Sequence, residues 1–128
     1  MQSLWYKSLN KSILTPPSKV FIIAWSILYF LITLSFIFYI KSGLSKKDIL
    51  PLFLFFMGLI LNFSWSYIFF KRHEILLGFF VIAGIIFLLI PTIILFYKKE
   101  KISGILLIPY LFWLLFALYL NFDIYMKN

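Results

Sequence analysis

VFIIAWSILYFLITLSFIFYI, residues 20–40, runs for 21 residues without a charge. At about 1.5 Å per residue, a helix of that length crosses the roughly 30 Å hydrocarbon core of a bilayer. The run is apolar continuously rather than at alternate positions, which selects a helix over a barrel strand. In hydrocarbon every backbone N–H and C=O needs a partner inside the protein, and a helix supplies them from its own turns.

The same pattern recurs three times further along the chain. Residues 49–70 form a second apolar run, with Pro51 in the first turn, where its missing N–H leaves no helical bond unmade. Residues 75–97 form a third, and residues 102–125 a fourth whose one charge, Asp123, falls in its last turn. The connections KSGLSKKD (41–48), KRHE (71–74) and KKEK (98–101) are short, so consecutive helices should run antiparallel. The expected fold is all-α: one integral membrane domain, residues 1–128, built as a four-transmembrane-helix bundle. Pro91 and Pro109 lie inside spans three and four and should bend them unless a helix ends nearby.

Composition agrees. With 64% hydrophobic and 12% charged residues, the chain has more apolar surface than a soluble domain of its size could bury. The formal charge is +8, but the twelve Lys and Arg residues sit in short groups between apolar runs, which fits lipid headgroups and not nucleic acid. Residues 1–19 mix Lys7, Lys11 and Lys19 with polar residues and Pro16-Pro17, unlike a cleaved signal. Lys and Arg divide six to six between the two sides, so charge does not assign an orientation. The protein is expected to be multi-pass, in a membrane the sequence does not specify.

Several activities lack their chemistry. A proton-coupled transporter needs an ionisable group within the membrane, and the middle of these helices has none. A small multidrug exporter would carry a glutamate in its first span, and this first span has no acidic residue. Hydrolysis is poorly provisioned, because Asp48, Glu74, Glu100 and Asp123 are scattered over three loops and a helix end. There is no cysteine, and His73 reads as a solvated loop residue beside Lys71, Arg72 and Glu74 rather than a metal ligand. No catalytic residue and no metal site is expected.

The helices instead carry aromatic and polar groups at helical spacing. Trp113, Ala117, Leu120 and Asn121 share one face of span four at i, i+4, i+7 and i+8. Span two places Asn62, Trp65, Ser66 and Phe69 together, and span one offers Trp25, Tyr29 and Ile32. Facing one another, they would line a mostly apolar pocket with a few hydrogen-bond donors, suited to a flat hydrophobic ligand. Spacing alone favours a simpler reading, in which Asn and Ser tie helices together while aromatics pack or meet headgroups.

Three blocks bring in a resemblance: WYKSLNKSILTPP with VFIIAWSILY (5–29), LNFSWSYIFF (61–70) and LLIPYLFWLLFALYLNFDIY (106–125). In this order they resemble the translocator protein family, also called tryptophan-rich sensory or peripheral benzodiazepine receptor-like proteins. The resemblance implies a membrane receptor or sensor for porphyrin-like tetrapyrroles or other flat hydrophobic molecules, held under a capping loop that corresponds to residues 1–19. It equates Trp25 and Trp113 with the porphyrin-linked tryptophans, Ala117 and Leu120 with pocket-lining positions, and Asn62 with an asparagine near the ligand. The porphyrin would be a ligand; no cofactor is implied. Slow light-dependent porphyrin breakdown is the enzymatic alternative, and a ligand-free structural role in a membrane assembly is the other.

The chain departs from the family pattern in places. Relatives usually have five helices, so the four spans here correspond to the last four: either this is a four-helix variant, whose open bundle face would meet lipid or a second protomer in a homodimer, or the true start lies upstream of Met1. Ser12 and Leu14 stand where relatives tend to have proline and tryptophan, and Leu77 and Val81 where a tryptophan and an aspartate often occur. Leu120, Tyr125 and Lys127 satisfy a loose cholesterol-contact pattern that any helix end easily meets. Asp123 and Lys127, at i and i+4, read as a helix-end charge pair.

Overall fold

The computed structural model describes residues 18–68 and 75–127. Helix α1 is Ser18–Lys41, followed by a single 3-10 turn at Lys46–Asp48 and by α2, Ile49–Ser66. Helix α3 is Ile75–Lys99, α4 is Lys101–Leu106 and α5 is Ile108–Lys127. Among the described residues, four stretches are long and apolar enough to cross a membrane: Lys19–Lys41, Lys46–Trp65, Ile75–Lys99 and Lys101–Lys127. The protein is thus an all-α, multi-pass membrane bundle.

The outer surface carries many large apolar side chains. Phe87 is 78% exposed and Ile49 69%, which water would penalise and lipid tails accept. Because lipid is no more polar than a leucine side chain, hydrophobicity does not hold the helices together. Close packing and interhelical hydrogen bonds do.

Proline and glycine shape the fourth span. The helix breaks at Leu107, whose N–H turns back to Gly104 O at 3.2 Å, and α5 begins one residue later. Pro109 therefore falls in the first turn of α5, where an N–H would have no helical partner anyway. Helix α3, by contrast, continues through Pro91 to Lys99. Gly104 lets α4 lie directly on α3, since a Cβ there would stand 2.6 Å from Tyr97 Cβ and 2.7 Å from its Cα. Two buried serines then join α1 to α4 reciprocally: Ser35 Oγ donates to Ser103 O and Ser103 Oγ to Ser35 O, both at 2.6 Å.

The α1–α2 loop is fixed by a carboxylate. Asp48 Oδ2 accepts from Ser45 N at 2.7 Å, while Ser45 Oγ accepts from Lys47 N, a reciprocal cap on the 3-10 turn. Asp48 also takes the Tyr39 hydroxyl at 2.5 Å and pairs with Lys99 Nζ at 2.7 Å. Lys99 in turn donates to Gly43 O, at a turn residue with φ 94° that suits glycine, and lies over the Tyr39 ring. One buried acid thus ties the ends of α1 and α3 to the start of α2.

Around the bundle, α2 lies along α3, α3 along α4 and α5, and the α4–α5 span against α1. Helices α1 and α2 meet mainly through side chains. Phe36 stacks on Phe55 at 5.6 Å and meets Phe56 edge-on at 5.5 Å. The centre behind them is aromatic as well, with Phe96 stacked on Tyr39 at 4.1 Å and on Phe55 at 5.4 Å.

Candidate functional site: an aromatic cluster between α1, α2 and α5

The site forms where the inward faces of α1, α2 and α5 converge beside α3. From α1, Leu28 and Ile32 turn inward, which brings Trp25 and Tyr29 to the edge of the core. Trp25 stacks on Tyr29 with centroids 5.6 Å apart and planes 26° apart. It meets Trp113 of α5 nearly at right angles, at 6.2 Å and 88°. Phe21 and Phe116 flank Trp113 at 5.7 and 5.5 Å. Edge-to-face contacts of this kind match the positive rim of one ring to the negative face of another, each worth about 0.5–1.5 kcal/mol beyond burial.

A polar chain crosses this apolar setting. The Tyr29 hydroxyl donates to Asn62 Oδ1 at 2.5 Å, and Asn62 Nδ2 donates to the Tyr110 hydroxyl at 2.8 Å, so one amide links α1, α2 and α5. A turn further along, Trp65 Nε1 donates to Asn121 Oδ1 at 3.2 Å and Asn121 Nδ2 to Ile75 O at 2.8 Å, joining α2, α5 and the start of α3. One group stands outside these networks. Trp113 Nε1 is shielded from solvent and has no hydrogen-bond partner among the described residues.

Trp25, Asn62, Trp65 and Ala117 line one void together with Ile82, Ile85 and Leu114. Tyr29 reaches it through Asn62, Trp113 through Trp25, and Asn121 through Trp65. Leu120 is buried on α5 and is not among the residues lining the void. The residues proposed from the sequence as a capping loop, 1–19, lie outside the described residues except for Ser18 and Lys19, and so does Phe69. The void measures about 10 Å3, enough for one water-sized group. A flat macrocycle can enter only if the aromatic side chains and the helices carrying them part.

Spacing had passed over Tyr110, which is 3% exposed, bonds Asn62 and lies 6.5 Å from Trp25. Its position at i relative to Trp113 (i+3) and Ala117 (i+7) puts it on the same face, a signal hidden by its place beside Pro109, where an interfacial tyrosine is the usual reading. The purely apolar walls, Ile82, Ile85 and Leu114, have no signature distinguishing them from other core residues. No group of three or more His, Cys, Asp and Glu converges on a common point among the described residues.

Four helices among the described residues long and apolar enough to cross a membrane, with an aromatic, sparsely polar cluster between them, define an integral, multi-pass membrane protein. The profile of the TspO/MBR family matches residues 1–126, and the chain belongs to that family. It is 40% identical to the tryptophan-rich protein TspO of Archaeoglobus fulgidus, over 97% of this chain and 80% of that protein. The tryptophan-rich sensory protein of Cereibacter sphaeroides is 30% identical, over 93% of this chain and 73% of its own length. The human translocator protein is also 30% identical, over 97% of this chain and 75% of its own.

Proposed function

We propose that the chain is a membrane receptor or sensor that binds a flat, hydrophobic, tetrapyrrole-like molecule at the Trp25–Trp113 cluster. The observation that carries this reading is the indole N–H of Trp113, which no described residue accepts and which is shielded from solvent beside the perpendicular Trp25 ring. An unsatisfied buried donor costs about 1–3 kcal/mol. A ligand bearing an acceptor would offset that cost while its π surface lies against Trp25, and the polar chain through Asn62 would orient it. Admission requires parting α1 from α2, the seam closed mainly by side chains: Phe36 against Phe55 and Phe56, and Tyr29 against Phe63 at 5.9 Å.

Titration of the protein in lipid nanodiscs with protoporphyrin, followed by tryptophan emission, tests the reading. Saturable quenching that weakens in Trp25→Phe and in Trp113→Phe is expected. Quenching that is absent, or that both variants leave unchanged, would favour the view that these aromatics and amides only knit the helices together.

A further inference from the structure

A second void lies further along the bundle, walled by Leu54, Phe55, Gly58, Leu89, Leu107 and Tyr110. Ile85 lines this void and the first, and the Asn62–Tyr110 hydrogen bond joins a wall of one to a wall of the other. One of its walls is a glycine of α2. The inward face of that helix runs Pro51, Phe55, Gly58, Asn62 and Trp65, at i, i+4, i+7, i+11 and i+14. Gly58 is the position on this stripe without a side chain.

Close packing does not account for that glycine. A Cβ added at Gly58 would meet nothing within 4 Å, whereas one at Gly104 would collide with the Tyr97 backbone. A glycine inside a helix costs about 1 kcal/mol relative to alanine, so open space at Gly58 is maintained against propensity without a neighbouring backbone to require it.

The lining decides what the space accepts. Thr92 Oγ1 is engaged with Leu88 O at 2.7 Å, the Tyr110 hydroxyl is held by Asn62, and the other walls are aliphatic or aromatic. A buried water needs two to four polar partners, which this void does not offer. Its size, about 10 Å3, fits a methyl-sized group. Phe55, one of the walls, stacks on Phe36 of α1, so the void adjoins the side-chain seam between α1 and α2.

We propose that this void is a second, apolar subsite that takes the terminal methyl end of an unbranched alkyl chain entering from the bilayer between α1 and α2. It does not depend on the tetrapyrrole reading of the first site. The chain could belong to a phospholipid or to a free fatty acid, which present the same terminal chemistry.

Photolabelling tests the proposal on the full chain in phosphatidylcholine nanodiscs. One arm uses phosphatidylcholine with a diazirine at the end of an acyl chain, the other palmitic acid with a terminal diazirine, and adducts are mapped by mass spectrometry. Adducts on Leu89 and Leu107, which are 6% and 0% exposed, are expected in at least one arm, beside adducts on the lipid-facing Phe87. The arm that yields them identifies the source. Gly58→Leu, which fills the space, should lose the Leu89 and Leu107 adducts and keep those on Phe87; if Gly58→Leu does not fold, Gly58→Ala should reduce them. Labelling confined to Phe87 and other exposed positions, or inner adducts that the folded variant leaves unchanged, would overturn the proposal.

Discussion

Trp113 presents an indole N–H that no described residue accepts, inside a cluster where neighbouring polar groups are paired. If a ligand supplies the acceptor, Trp113→Phe should raise the dissociation constant for protoporphyrin about tenfold, the equivalent of roughly 1.4 kcal/mol, measured by fluorescence titration. Two glycines make opposite predictions. Gly104→Ala forces a Cβ to within 2.6 Å of Tyr97 Cβ and should destabilise the bundle by about 1–3 kcal/mol in unfolding from detergent micelles. Gly58→Ala meets open space and should be neutral, or stabilising by up to about 1 kcal/mol, in the same measurement. Residue type alone could not separate these glycines, since the difference lies in a neighbour on another helix.

The spanning elements were legible because charge-free runs of about twenty residues have one economical solution in a bilayer. The break at Leu107 was less so: Pro109 announces a bend or a start, and only the placement of Gly104 against α3 shows that α4 ends first. The inward faces of α2 and α5 follow from their 3.6-residue period. The partner each face meets does not, because Tyr29 to Asn62 and Trp65 to Asn121 are long-range pairings set by how whole helices slide and rotate against one another. Asp48 and Lys99 illustrate this most clearly, reading as two solvated loop charges yet pairing at 2.7 Å with Asp48 buried. Asp48→Asn and Lys99→Met should each cost about 2 kcal/mol, the pair being partly open at Lys99, and the double variant less than their sum. Equal additive losses in thermal unfolding would mean that the pair does not act as a clasp.

Across the whole molecule, three sides of the bundle are joined by close helix packing and the fourth, between α1 and α2, largely by aromatic side chains. That asymmetry locates the motion a ligand requires, since the space at Trp25 now holds only a water-sized group. The chain has no cysteine, so Phe36→Cys and Phe56→Cys can be bridged selectively by a short bismaleimide. Bridging should slow protoporphyrin association at least about tenfold relative to the unbridged double variant, as expected when a conformational step is blocked. Equal rates would place the entry elsewhere. Whether the Trp25–Trp113 cluster receives the ligand is read from the indole 15N–1H resonances of the protein in nanodiscs during protoporphyrin addition. The Trp113 indole proton should move downfield as its hydrogen bond forms, with a saturation curve matching that of fluorescence quenching. A Trp113 resonance that stays in place while the protein binds protoporphyrin would contradict it.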